Sequence, residues 1–160
     1  MINKLCQILQ NKQTKDFVMK SRTLFENYRN FPKRVFLIAN GGTFANMEHL
    51  VVDWVKTLQL HIECPTSGGT LTAYGNDFGF ENIFSKWLEH RKIDNDCLLV
   101  ALSSSGSSAN ILRACEYAKS QNCKIITGWG FNENNPLSKY GDIQYFVNSQ
   151  NYNVIETAHL

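Results

Sequence analysis

Apolar residues along this chain follow two rhythms in turn, and their alternation predicts the architecture. Over residues 1–30, Ile2, Leu5, Cys6 and Leu9, then Phe17, Met19, Leu24 and Phe25, recur mostly at three- and four-residue steps. That is the spacing of one or two amphipathic helices, and Pro32 stops the segment. Five compact runs then break the helical rhythm: "RVFLIAN" (34–40), "LHIEC" (60–64), "CLLVALS" (97–103), "KIITGWG" (124–130) and "IQYFVNS" (143–149). Short, apolar and rich in branched or aromatic side chains, they predict buried parallel strands. Between them the helical period returns. Thr43 is expected to cap a helix through "FANMEHLVVDWVKTL" (44–58), and Phe78 to His90 carries Phe80, Ile83, Phe84, Trp87 and Leu88 on one face. "SSANILRACEYAKSQ" (107–121) follows the third strand, and "NVIETAHL" (153–160) opens a last helix. "TSGGTLTAYGND" (66–77) predicts a loop with one helical turn.

Strands alternating with helices predict an α/β fold: a three-layer α-β-α sandwich around a five-stranded parallel sheet, Rossmann-like. A helical arm over 1–32 and an α/β core over 33–160 would make one domain. Open sheets of this kind bind ligands outside the carboxyl ends of their strands, at the switch in strand order. Two predicted strands end in polar, glycine-containing turns, "NGGT" (40–43) and "SSSGSS" (103–108), so both fall on that edge.

Composition narrows the function by exclusion. The 160 residues suffice for a real core. The formal net charge is +2 with basic residues scattered, and Lys33-Arg34 reads as a solvated strand entrance, so no nucleic-acid partner is expected. No run approaches the roughly 20 apolar residues of a membrane span. The opening "MINKLCQILQNKQTK" lacks the apolar stretch of a secretory signal. Five cysteines (Cys6, Cys64, Cys97, Cys115, Cys123) have no CxxC spacing. Cys97, Cys115 and Cys123 fall where a thiol acts as a small buried hydrophobe, and a reducing cytoplasm is the expected location.

The two turns carry the candidate chemistry. A helix N-terminus offers unpaired N–H groups and partial positive charge. The serine run adds hydroxyl donors, and Gly106 permits a tight turn. One of Ser105, Ser107 or Ser108 would serve as N-cap. A capped loop without ligand fits the same letters, but the placement at a strand end favours a phosphate. No GxxxxGK motif exists and "NGGTFA" is not GxGxxG, so a sugar phosphate is expected and a nucleotide cofactor is not. His49 and Asp53, four apart, share a helical face, as a metal site, a proton shuttle or an ordinary surface pair would. Glu156 and His159 repeat the combination at three residues.

Four stretches, "ANGGTFANMEHLVVDW", "YGNDFGFENIFSKWLE", "LLVALSSSGSSANILRACEYAKSQNCKIIT" and, more weakly, "NVIETAHL", together resemble the sugar isomerase (SIS) domain family. More narrowly they are similar to the bacterial phosphoheptose isomerases, over the chain from about Val35 onward. The resemblance implies a cytosolic homo-oligomer, tetramer or dimer, that interconverts an aldose and a ketose phosphate. The heptose enzymes act on sedoheptulose 7-phosphate and begin lipopolysaccharide core sugar synthesis. It implies a phosphate seat of Thr43, Ser103, Ser104, Ser105 and Ser108 beside Gly41 and Gly42, with Asn40 and Asp77 lining the sugar pocket. Asp53 stands where the family has its glutamate base, one methylene shorter. Some members bind one zinc ion, whose ligands map to His49, Asp53 and Glu156. Glu156, in place of a glutamine, joins Asp53 as a candidate catalytic and substrate-contacting residue. The family's histidine acid would lie eight positions beyond Glu156, past Leu160, so the last helix is expected to be cut short, with His159 only on a neighbouring turn. Asn153 replaces an aspartate, Thr57 a phosphate-contacting arginine, and "GWGFNENN" (128–135) a Gly/Lys-rich loop. These departures leave open a second expectation, a non-catalytic SIS module that binds a phosphosugar or a protein partner, like the replication-initiator-associating relatives.

Overall fold

The structure, a computed structural model, describes residues 1–30 and 32–160. The N-terminal segment forms two helices, α1 (Ile2–Gln10) and α2 (Lys12–Glu26), divided at Asn11. That residue is extended (φ −72°, ψ 161°), and its side chain accepts from the Thr14 N–H at 2.7 Å, ending one helix and starting the next. The remainder alternates: β1 (Arg34–Ile38), α3 (Gly41–Leu58), β2 (Ile62–Glu63), α4 (Gly68–Phe78), α5 (Ile83–His90), β3 (Cys97–Ser103), α6 (Ala109–Ser120), β4 (Lys124–Trp129), β5 (Ile143–Phe146) and α7 (Tyr152–His159). Short 3-10 turns lie at Phe80–Asn82 and Pro136–Lys139. No helix among the described residues is long and apolar enough to cross a membrane.

The five strands form one sheet in the order β2-β1-β3-β4-β5, with every pairing parallel. Register explains the two cores. Phe36, Leu99 and Ile125 are aligned across β1, β3 and β4 and pack with Phe84, Trp87, Leu88, Ile111 and Cys115 of α5 and α6. One residue along, Leu37, Val100 and Ile126 make the row on the other face, under Phe17 and Phe25 of α2 and Met47 and Trp54 of α3. All seven residues of β3 are buried, as a central strand covered on both faces requires. Ile8, Tyr145, Val147, Val154 and Ile155 join α1 and α7 to the β5 end. The expected three-layer α/β sandwich with a five-stranded parallel sheet is therefore what the chain builds.

Several sequence expectations are corrected. Within the stretch expected as a loop with one turn (66–77), residues from Gly68 on form a full helix to Phe78: Ser67 caps α4 by accepting from the Thr70 N–H at 3.4 Å, and Leu71 and Tyr74 pack on the α5–α6 core. The expected helix 78–90 is interrupted at Gly79 (φ +81°) and begins at Ile83, which leaves Phe80 at 66% exposure, off the buried face. Strands β1, β4 and β5 stop short of residues 40, 130 and 149. In the arm, Ile2 and Met19 are exposed while Thr14 and Ser21 are buried. Thr43 does not cap α3; it is the helix's third residue, and Asn40 holds the cap position.

The strand order positions the site. From β1 the chain moves to β2 on one side, then crosses back to β3 on the other, so β1 and β3 are neighbours whose following helices diverge to opposite faces. The crevice of such a sheet opens at this reversal. Both candidate turns, after β1 and after β3, flank it.

Candidate active site

β3 delivers Ser103 into a turn closed by Gly106, whose N–H donates to the Ser103 carbonyl (3.0 Å) and hydroxyl (3.2 Å). Gly106 has φ +63°, and a Cβ there would collide with the Asn135 side-chain amide. The loop after β4 holds this turn from beneath. Gly130 N–H donates to the Ser104 carbonyl (3.0 Å), Asn135 Nδ2 to the Ser105 carbonyl (3.3 Å) and Leu137 N–H to the Gly106 carbonyl (3.0 Å). All four carbonyls from Ser103 to Gly106 are thus engaged by the protein. That suits an anion seat, where a carbonyl lone pair facing the ligand would repel it.

The cap positions flank the same turn. Asn40 and Ser108 occupy the N-cap positions of α3 and α6, with extended backbones (φ −123°, ψ 159° and φ −64°, ψ 119°), and neither side chain makes a capping hydrogen bond. Both are residue types that normally cap. The Ser108 hydroxyl instead lies 3.3 Å from that of Ser103. The Asn40 amide exchanges two hydrogen bonds with Asn110, 2.9 Å each way. Neither Asn40 nor Ser108 thus consumes a first-turn N–H of its helix, although in α6 the Asn110 side chain accepts that of Ile111 at 2.9 Å. Ser103 and Ser104 are buried while Ser105 and Ser108 are partly exposed, which grades the hydroxyls from floor to rim.

α7 closes one flank. A Cβ on Gly42 would collide with the Glu156 carboxylate, and Asn46 Nδ2 donates to the Glu156 carbonyl at 3.1 Å. Glu156 is thus brought to the N-terminus of α3, beside Asn40, Gly41, Gly42 and Thr43. Asp53 is not. It pairs with His49 (Nε2–Oδ2 3.4 Å) on an exposed stretch of α3, about 16 Å of helix rise from Gly42 at 1.5 Å per residue. Thr57 lies one turn further, donating to the Asp53 carbonyl at 2.6 Å. Asp77 is exposed near the end of α4, accepts from Asn76 Nδ2 (3.0 Å), and has no hydrogen bond to the serine turn.

The expected metal set does not converge within the chain. Among the described residues no three His, Cys, Asp or Glu side chains form a possible metal site. His49 and Asp53 supply an exposed pair on α3, and Glu156, on α7, is held at the N-terminal end of α3. A structural or catalytic zinc needs at least three protein ligands around one point, so one chain's donors do not fit it.

His159 cannot take the acid's place. It is buried against Gly128 and Tyr145, and neither ring nitrogen has a hydrogen-bond partner. Burial pushes its pKa down to about 4, so it is neutral at pH 7. It lines a cavity of about 620 Å³ between α2, α3 and the sheet, walled by Phe17, Leu50, Trp54 and Val100. Its walls are mainly apolar and lack the converging donors of the two turns, so it does not suit a phosphate. Burial also raises the thiols of Cys64 and Cys115 to about 12 and lifts those of Cys97 and Cys123. All five cysteines are free.

Two residues that shape the site were not singled out from sequence: Asn110 and Asn135. Asn135 stands before Pro136, a turn-initiating pair, and the 128–135 loop that departs from the family pattern is the loop that props the serine turn.

The comparisons agree with this geometry. No family model matches the chain. It is 33% identical over 133 residues to phosphoheptose isomerase of Crocosphaera subtropica, an alignment covering 79% of this chain and 67% of the relative. It is 36% identical over 100 residues to phosphoheptose isomerase of Nitratiruptor, covering 59% and 53%. The chain thus spans between about half and two thirds of these relatives. Among solved structures, phosphoheptose isomerase from Neisseria gonorrhoeae superposes with a TM-score of 0.82 at 24% identity, covering 98% of this chain and 83% of that one, a likeness of fold. The residues of the turns, the sheet order that unites them and the identity to curated relatives converge: this chain belongs to the phosphoheptose isomerase family of SIS-domain proteins.

Proposed function

We propose that this chain is an aldose–ketose isomerase of a seven-carbon sugar phosphate, sedoheptulose 7-phosphate, supplying heptose for lipopolysaccharide. The single observation that carries the reading is the pair of helix N-termini, of α3 and α6, left uncapped by Asn40 and Ser108 on either side of the sheet reversal. A dianionic ester takes the place of the missing caps, gripped by backbone N–H groups and by Thr43, Ser103, Ser104, Ser105 and Ser108. Asn40 and Asp77 then line the sugar.

Isomerisation needs a base that removes a proton from C1 of the ketose and returns it to C2 through an enediol, and an acid that serves the oxygens. Asp53 is the base in this reading. In one chain it stands apart from the seat, so it acts in a site completed by a second copy, within the dimer or tetramer expected of the family. The exposed Val52 and Val55 on the same stretch of α3 give that copy an apolar surface to cover. Glu156, against Gly42, serves the oxygen end. The free thiols suit a reducing cytoplasm.

The test is turnover of sedoheptulose 7-phosphate to the heptose aldose by wild type and Asp53→Asn. Loss of about a hundredfold or more in kcat, with phosphate-ester binding retained, is expected. Binding without turnover in wild type would replace the isomerase with a phosphosugar-binding module. Absence of binding would remove both readings.

A further inference from the structure

We propose that Asn110 is a positioning residue for the phosphate seat: its amide holds the Asn40 side chain away from the N-terminus of α3 and so keeps that terminus open to an anion. The inference rests on the sugar-phosphate reading above and concerns how that seat stays available.

Asn40 has every requirement of a cap. It is an asparagine, its backbone is extended, and the N–H groups of Gly42 and Thr43 lie two and three residues ahead, where a capping oxygen bonds. Asn11 and Asn151, in the same position of α2 and α7, accept from the helix N–H groups before them. Asn40 differs in having Asn110 opposite. An amide is the side-chain group that supplies a donor and an acceptor in one plane, and Asn110 uses both on Asn40 at 2.9 Å. Asn110 is 2% exposed, and its oxygen also accepts from the Ile111 N–H at 2.9 Å, which fixes its orientation. A buried amide so placed has no water to turn to, so the exchange with Asn40 is its means of satisfaction. Because Asn110 is the second residue of α6 and Asn40 precedes α3, the pair bridges the sheet reversal and ties the two helix starts together. Without Asn110, the freed Asn40 oxygen would accept from Gly42 or Thr43 N–H and compete with phosphate for the same donors.

Inorganic phosphate reads the seat without involving the sugar contacts of Asn40. Titration of phosphate and of sedoheptulose 7-phosphate is compared, by calorimetry and with thermal melts, in wild type, Asn110→Leu, Asn110→Ala and the double variant Asn40→Ala/Asn110→Ala. Either single variant is expected to bind inorganic phosphate about fivefold more weakly, the equilibrium weight of one helix cap. The double variant, with no side chain left to cap α3, is expected to return to within about twofold of wild type. A merely structural role for Asn110 predicts the opposite, a double variant as weak as the single or weaker, and that result overturns the proposal. So does wild-type affinity in a folded single variant. A measurement independent of folding is the ¹⁵N response of wild type: Gly42 and Thr43 amides are expected to shift on adding phosphate. If only the Ser103–Ser108 amides respond, this inference fails while the sugar-phosphate reading stands. If wild type binds neither probe, the parent reading fails instead.

Discussion

Asn40 and Asn151 hold the same position before two helices that touch each other, and they behave oppositely. Asn151 accepts from the Asn153 N–H at 2.9 Å and the Val154 N–H at 3.4 Å, which satisfies the start of α7. Asn40 makes no such bond. The residue type and the extended backbone are the same, so local chemistry does not separate them. Position in the fold does. Asn151 follows the edge strand β5, where a helix start has only water or a cap to satisfy it. Asn40 follows β1 at the sheet reversal, where a ligand can. On the proposed phosphate reading, the unmade cap at Asn40 leaves the α3 donors for the ester.

The largest expected effect comes from forcing the ligand-side region to behave like ordinary backbone. Gly106→Ala imposes a left-handed conformation on a residue with Cβ and drives that Cβ into Asn135. Strain of roughly 1–2 kcal/mol and overpacking of roughly 1–3 kcal/mol predict a loss of about 4 kcal/mol in denaturant unfolding. Phosphate binding should vanish with it. A loss below about 1 kcal/mol would mean that the turn is not held between Ser103 and Asn135 as described.

The second effect belongs to the capped region. α7 ends on His159, buried and neutral, with a pKa pushed down to about 4. The unfolded chain binds that proton near pH 6.5 and the folded chain does not, so stability is full above that value and falls as the pH drops towards 4. Between pH 6.5 and 5 the loss is about 2 kcal/mol. His159→Leu, which removes the titration and suits the apolar cavity, should flatten this limb in pH-dependent melts. An unchanged limb would assign the acid sensitivity to other groups.

Legibility in the sequence follows the same division. β3 was readable to the residue because a fully buried central strand is a continuous apolar run, and "CLLVALS" is bounded by polar residues on both sides. α4 was not, because three glycines and two threonines hide a helix whose start depends on one Ser67 hydroxyl and whose packed side is only the partly buried Leu71 and Tyr74. The serine turn was readable as chemistry from its hydroxyls and from its place after a strand. Its architecture was not: the three supports from Gly130, Asn135 and Leu137 come from a segment about 30 residues later, and their donors are two backbone amides and an asparagine. The family resemblance placed His49, Asp53 and Glu156 together as ligands, while the chain keeps Glu156 at Gly42 and leaves the His49–Asp53 pair exposed. The completion by a second copy proposed above is invisible to spacing within one chain.

The smallest effects are the sharpest on the comparison, because they cross. Asn151→Ala removes a cap and should cost about 1 kcal/mol of unfolding free energy while leaving sugar-phosphate affinity unchanged. Ser108→Ala removes a hydroxyl that caps nothing and contacts only the Ser103 hydroxyl at 3.3 Å, so stability should move by less than about 0.5 kcal/mol. Yet it takes one donor from the seat, and a hydrogen bond to a charged ester predicts roughly tenfold weaker binding. Measured together by denaturant melts and calorimetry, the two variants should separate stability from binding in opposite directions. If Ser108→Ala destabilises as much as Asn151→Ala and binds as well, then Ser108 is an ordinary cap, and the difference between the two regions is one of sequence position alone.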